Sequence, residues 1–323
     1  MVKVLVLGAT GFLGSLIAKE AVKLGHQVTA LVSEESHIKK KQIVDGLKAS
    51  GVQIKTGSLE SDHKDLVDVL KTVEVVVSAV NGPGLAAQTK LVAAAKEAGT
   101  INQFMPSEFS AFGAVGEASA PLLYGPKAQV RAALEAAGIP HTYIVSYGFA
   151  SYWANGLGEL GQKNRVPPSP SSSNRVPFYG TGRTKLVMNV EEDIAAYTAR
   201  AIGDVRAINK QLHVRPPLNS LSQHDMAHIW EDKVFRQLCI GSRLDRSFVP
   251  IAELEQRIAS AQDPIKKTFL QLQKTFTVDG VTTPMGPQDV EASRLYPDYF
   301  YTPIAKYMNN LIDTFRTQLA AEE

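Results

Sequence analysis

From its second residue the chain alternates short apolar runs with longer segments whose apolar positions recur every three or four residues. Residues 2–7 form a β-branched and leucine run broken only by Lys3, the pattern of a strand covered on both faces. Residues 12–24 place Leu13, Ile17, Val22 and Leu24 at helical spacing and stop at Gly25. The same reading predicts strands over 28–32, 52–55, 73–80, 103–105 and 143–145. It predicts helices over 38–47, 66–70 (with Ser61 or Asp62 near the start), 85–98 and 126–137, the last closed by Gly138. Strict β/α alternation of this length predicts an α/β fold with a doubly wound parallel sheet and helices on both faces.

After residue 150 the rhythm breaks. Residues 165–177, RVPPSPSSSNRVP, read as a loop rather than a regular element. Further on, 191–201 looks helical, 211–214 strand-like and ended by Pro216 and Pro217, and 222–238 and 251–259 helical, with another helical piece near the C-terminus. The expected organisation is a domain over 1–150 and a smaller one formed mainly by 151–323, with segments such as 185–217 packing back on the first.

Composition narrows the class. The 323 residues are 44% hydrophobic and 20% charged, with a net charge of +2, so no general attraction to nucleic acid or anionic membrane is expected. The single cysteine, Cys239, rules out an intrachain disulfide and a cysteine cluster for metal. No run of about 18 apolar residues suggests a membrane span, and Gly8, Thr10, Gly11 and Gly14 interrupt the apolar start. A cytoplasmic protein is the expectation; monomer and homodimer are equally compatible with the sequence.

The first chemistry lies between the first strand and first helix, in Gly8-Ala9-Thr10-Gly11-Phe12-Leu13-Gly14. Glycines at 8, 11 and 14 permit a sharp turn, close approach of backbone N–H groups to a pyrophosphate, and tight helix–sheet packing. The helix N-terminus adds donors and partial positive charge. A Rossmann-type dinucleotide site is the inference. Near the end of the second strand, where an acidic residue would select NADH and basic groups NADPH, Ser33 is followed by Glu34, Glu35 and the run Lys39–Lys41. A lysine there could serve a 2′-phosphate, or the run could be a solvated helix face.

Several further segments resemble one family. Gly8–Gly14, residues 40–52 (KKQIVDGLKASGV), Met105-Pro106-Ser107-Glu108-Phe109, Lys127 within GPKAQVRAALEAAGIPHTYI, Phe178-Tyr179-Gly180-Thr181-Gly182, Arg215-Pro216-Pro217 and Leu295-Tyr296-Pro297 look like isoflavone reductase-like proteins. These are NmrA-like atypical short-chain dehydrogenases that include phenylcoumaran benzylic ether reductases, pinoresinol–lariciresinol reductases and eugenol synthases. The resemblance covers nearly the whole chain. It implies an NADPH-dependent reductase acting on a small aromatic, phenylpropanoid- or isoflavonoid-like molecule. It also implies that Lys40 contacts the 2′-phosphate, Gln88 lies near the cofactor, and Ser107, Glu108, Phe109 and Phe149 line the nicotinamide side. Ser33 stands where the family usually has arginine, which keeps NADH open, and Ser110 stands where it has glycine.

The acid–base residue implied by the resemblance is Lys127. The Tyr-x-x-x-Lys pair of commoner short-chain dehydrogenases is absent, since Tyr124 stands one residue too close to Lys127. Pro126 reads as a first-turn residue, which would place Lys127 at a helix N-terminus, where helix potential, burial and the oxidised nicotinamide would all depress its pKa. The alternative is an ordinary solvated lysine. Tyr147, Phe149, Tyr152 and Trp153 follow the sixth strand, at the edge where open parallel sheets bind ligands. They suggest an aromatic substrate pocket, although core packing would explain each singly. His224 and His228 have zinc-helix spacing, but the glutamate and third ligand are missing, so no metal is expected; Ser222 and Asp225 read instead as a capping box. No Gly-x-Ser-x-Gly elbow supports a hydrolase. The rival to an enzyme is an NADP(H)-sensing regulator of the same fold; a sugar-nucleotide epimerase would need the absent tyrosine–lysine pair.

Overall fold

The computed structural model describes residues 1–111, 119–160, 175–238, 243–281, 285–311 and 313. Strand β1 (Lys3–Leu7) shows how the pattern becomes a layer structure. Val4 and Val6 face a cluster with Leu13, Ile17, Ala18 and Ala21 of α1 (Phe12–Lys23). Leu5 and Leu7 face the other way, against Leu66 and Leu70 of α4 (His63–Leu70) and Leu91 and Ala95 of α5 (Gly84–Ala98). A strand buried on both faces has no polar side to spare, hence the unbroken apolar run.

Parallel pairing orders the strands β3-β2-β1-β4-β5, with β2 at Gln27–Val32, β3 at Gln53–Thr56, β4 at Val75–Ser78 and β5 at Gln103–Met105. A bridge between Phe104 and His141 continues the sheet to β6 (Thr142–Val145), which pairs in parallel with β10 (Lys210–His213). The order reverses between β1 and β4, opening a crevice at the carboxyl ends of the strands where such sheets bind ligands. This is a Rossmann-type fold.

Local departures from the sequence reading have identifiable causes. The helix expected over 38–47 is two, α2 (Glu34–Lys39) and α3 (Lys41–Ala49), because Lys40 leaves helical geometry at φ −120°, ψ 34°. The helix expected from Pro126 begins a turn and a half earlier: α6 runs Pro121–Ala137, with Pro121 in its first turn and Pro126 inside it. Pro126 costs one backbone hydrogen bond, to the carbonyl of Leu122, whose side chain is exposed. Lys127 is therefore not at a helix N-terminus.

Beyond residue 150 a second hydrophobic cluster gathers Trp153, Phe178, Met226, Trp230, Phe276, Ile304 and Met308. Part of the tract read as a loop is strand: β8 (Arg175–Tyr179) pairs in parallel with β12 (Asp245–Val249), and Pro177 is accommodated there; 165–174 lie outside the described residues. A two-stranded pair leaves one side of each strand unpaired, which tolerates proline. The helix over Pro264–Lys274 has no counterpart in the sequence reading. Helix α8 (Glu191–Arg200) contributes Ile194, Ala195, Tyr197 and Ala199 to the α1 side of the sheet. The capping box is present: Ser222 Oγ accepts from the Asp225 N–H at 3.1 Å, and the Asp225 carboxylate accepts from the Ser222 N–H at 2.9 Å. No described helix is long and apolar enough to cross a membrane.

Candidate active site

The glycine loop closes the crevice at its centre. Gly8 has φ +74°, and the Gly11 N–H donates to its carbonyl at 2.8 Å. A Cβ on Gly8 would stand 2.5 Å from the Ala79 carbonyl oxygen, and one on Gly14 2.1 Å from the Gly8 carbonyl oxygen. Both neighbours are backbone and cannot swing aside, so only glycine fits. As N-cap of α1, Gly11 brings no capping side chain to the first turn. Bare backbone at a helix N-terminus is the cradle a pyrophosphate requires. Thr10 and Leu13 are buried in the turn, while Phe12 is exposed at its rim.

Beside the loop, the exposed Lys40 donates from Nζ to the Thr10 carbonyl oxygen at 3.3 Å. The irregular backbone at Lys40 thus returns an ammonium to the loop. Ser33 is used locally: its Oγ caps α2 by accepting from the Ser36 N–H at 3.2 Å.

Across the crevice, Gln88 and Ser107 form one buried unit. Gln88 Oε1 accepts from the Ser107 N–H at 2.9 Å, and Ser107 Oγ donates to the Val80 carbonyl oxygen at 2.7 Å. Val80 is also a neighbour of Gly8, so these contacts tie the loop to the segment after β5. There a tight turn, with the Glu108 N–H donating to the Pro106 carbonyl at 2.7 Å, presents the Glu108 carbonyl to Lys127 Nζ, which donates to it. Lys127 is 4% exposed and Glu108 2%. The Glu108 carboxylate accepts from Arg131 Nη1 at 3.1 and 3.2 Å. Tyr124, whose ring centre lies 5.5 Å from Lys127 Nζ, shares a 3.0 Å hydrogen bond with Ser110 Oγ.

Burial pushes the Lys127 pKa down to about 8; the Glu108 charge acts upward and the Arg131 charge downward. Helix potential plays no part, contrary to the sequence expectation. Burial pushes the Tyr124 hydroxyl up to about 12, so it stays protonated. The lowered Lys127 value has a stability consequence. The folded pKa lies below the ordinary 10.5, so folding disfavours the ammonium: the penalty is complete below pH 8 and disappears as pH rises from about 8 to 10.5. Relative to the parent, a Lys127→Met variant, which has no group to titrate there, is therefore expected to lose about 3 kcal/mol between pH 7 and pH 10.5, as the parent's penalty disappears. Denaturant unfolding of both proteins across that range checks it; a stability difference that does not change with pH would contradict it.

The aromatic residues divide. Phe149 and Tyr152 are half-buried, with ring centres 5.9 Å apart, and Phe109 is half-buried as well. Tyr147 and Trp153 are core residues, not wall. Tyr147 has φ +56°, its hydroxyl shares a 2.9 Å hydrogen bond with the buried His213 Nδ1, and its N–H donates to the Ser110 carbonyl at 3.2 Å. Trp153 stacks on Phe276 at 4.9 Å. The requirement to fill the space over Gly148, where a Cβ would lie 2.7 Å from the Trp153 ring, outweighs exposure at the edge. His224 interacts with the Thr181 carbonyl oxygen and packs edge-on against Phe178. The sequence reading missed Arg131 and His213. Arg131 carried a signal, four residues after Lys127 on the same helix face; His213 carried none.

The NmrA-like family model matches residues 2–308. The chain belongs to the NmrA-like family. Within it, the chain is 36% identical to a phenylcoumaran benzylic ether reductase of Ginkgo biloba, over 96% of this chain and 99% of that one. It is 38% identical to a bifunctional pinoresinol-lariciresinol reductase of Thuja plicata, over 96% and 98%. The solved structure of AtPrR2 with NADP+ and (+)-pinoresinol superposes with a TM-score of 0.83 at 33% identity, covering 96% of this chain and 98% of that one. The isoflavone reductase-like resemblance in the sequence is thus that of the NmrA-like family's reductase members.

Proposed function

We propose that this chain is an NADPH-dependent reductase that transfers hydride to a small aromatic, phenylpropanoid- or isoflavonoid-like molecule, with Lys127 as the general acid–base group. The observation that carries the reading is a buried lysine with a pKa near 8, joined through Glu108, Ser107 and Val80 to a glycine loop that only a bare backbone can form. An ammonium with that pKa exchanges its proton near neutral pH, the condition for acid–base work. The sensor reading leaves such a group without a use, and the relatives compared above are reductases.

The residues fit the cofactor. Gly8, Thr10, Gly11, Phe12, Leu13 and Gly14 would hold the pyrophosphate, Lys40 the 2′-phosphate, and Gln88, Ser107, Glu108, Phe109, Lys127 and Phe149 the nicotinamide side. When bound, NADPH supplies the hydride. Lys127 Nζ gives up or takes the proton at the substrate oxygen, oriented by the Glu108 carbonyl. Tyr124, held protonated, does not substitute for it. Phe149 and Tyr152 offer the aromatic substrate an apolar wall that excludes water. Residues 1–150 hold the cofactor, and the later cluster around Trp230 covers the substrate.

NADPH consumption measured with a panel of aromatic acceptors tests the reading: steady turnover is expected, and coenzyme binding without turnover across the panel would favour the sensor. The coenzyme choice has its own test. Lys40→Glu is expected to weaken NADPH binding about tenfold while leaving NADH binding little changed, by fluorescence titration. Equal effects on both would remove Lys40 from the 2′-phosphate.

A further inference from the structure

The ionised groups around Lys127 are arranged unusually for a lysine that has a carboxylate nearby. Lys127 and Arg131 lie four residues apart on one face of α6, so two basic side chains occupy consecutive turns of a largely buried surface. Glu108 reaches both, but with different atoms. Its carboxylate accepts from Arg131 at 3.1 and 3.2 Å, while its main-chain carbonyl accepts from Lys127 Nζ. Arginine's planar fork is the better match for a carboxylate, so the division follows from side-chain shape.

We propose that Arg131 is a positioning residue for the reaction: by engaging the Glu108 carboxylate it keeps a neutral carbonyl, rather than an anion, on the Lys127 ammonium, and its own like charge loosens the lysine's proton. An ammonium facing a carboxylate is held charged, whereas one facing a carbonyl dipole beside a guanidinium gives its proton up more readily. Tyr124 presents its ring to Lys127 and its hydroxyl to Ser110, and adds no charge. On strand β6, Tyr143 also adjoins this cluster; its hydroxyl donates to Glu135 at 3.5 Å, and burial pushes its pKa up, so it too is neutral. Among the described residues, Glu108 and Arg131 are thus the charges that govern Lys127. The catalytic consequence rests on the reductase reading; the effect on the lysine's proton does not.

Trace labelling of the free protein with isotopic acetic anhydride between pH 6 and 11, with the Lys127 peptide quantified by mass spectrometry, reads that proton without substrate. The parent is expected to titrate near pH 8. Arg131→Met is expected to raise the midpoint by about one unit, roughly tenfold less labelling at pH 8, and Glu108→Gln to lower it by a similar amount. Arg131→Lys, which keeps the charge but not the fork, is expected to shift the midpoint upward by less than Arg131→Met. Opposite shifts separate tuning from damage, because a merely loosened site would hydrate Lys127 and move both variants upward toward 10.5. An unmoved Arg131→Met midpoint, a parent midpoint near 10.5, or upward shifts in both variants would overturn the proposal. If Arg131→Met does not fold, Arg131→Gln takes its place, an upward shift supporting the proposal and an unmoved midpoint refuting it. The pH profile of kcat with NADPH and (+)-pinoresinol is expected to move in parallel. Opposite labelling shifts without turnover on any acceptor would sustain the role of Arg131 while refuting the reductase reading.

Discussion

Replacing Lys127 with methionine is expected to lower kcat by about two to four orders of magnitude, the usual contribution of a positioned acid–base group. Methionine is similar in length, apolar, and suited to a position only 4% exposed, so packing around Tyr124 is retained. NADPH affinity is expected to change less than about threefold, because Lys127 lies across the crevice from the glycine loop and a threefold change is under 1 kcal/mol. Single-turnover hydride transfer and fluorescence titration separate the two quantities. A variant with parental kcat would remove Lys127 from the chemistry. The same substitution removes the cost of holding an ammonium in a buried site, the kind of cost borne where an active site holds an unfavourable charge in place.

The second large effect is at Gly14. A methyl group there would meet the Gly8 carbonyl at 2.1 Å, and the helix can move away only by leaving the sheet. Gly14→Ala is expected to weaken NADPH binding by about a hundredfold, near 2.7 kcal/mol, and to lower the thermal midpoint as well. Gly11→Ala is the internal comparison. Its Cβ would lie 3.0 Å from the same oxygen at an ordinary φ of −85°, so a smaller loss is expected. Coenzyme titration and thermal unfolding of both variants check the order. Equal, parental affinity in the two would mean that the loop does not hold the pyrophosphate.

The parallel sheet and the glycine loop were legible because their determinants are local. A strand buried on both faces, as Lys3–Leu7 is from Val4 onward, must be apolar there, and a turn in which a Cβ would stand 2.1–2.5 Å from backbone atoms must be glycine. Lys127 was legible through the resemblance, but its environment was not. Pro126 signals a first turn wherever an earlier start is unseen, and only the fold reveals that Pro121 takes that place. Burial, not helix potential, is therefore what chiefly lowers the lysine's pKa. Arg131 and His213 matter through partners 23 and 66 residues away, separations that periodicity does not encode. Tyr147 and Trp153 illustrate the converse: aromatic residues at a strand's carboxyl edge serve a pocket or a core, and packing over Gly148 and the bond to His213 decide for the core.

Hydride transfer to an aromatic molecule is the central step proposed for this protein. Mixing the protein with NADPH deuterated at nicotinamide C4 and an aromatic acceptor such as (+)-pinoresinol, and locating the label by mass spectrometry, tests that directly. Deuterium in the reduced acceptor, from one of the two C4 positions only, is the predicted result. Tight coenzyme binding with no label in any acceptor of a broad panel would contradict it.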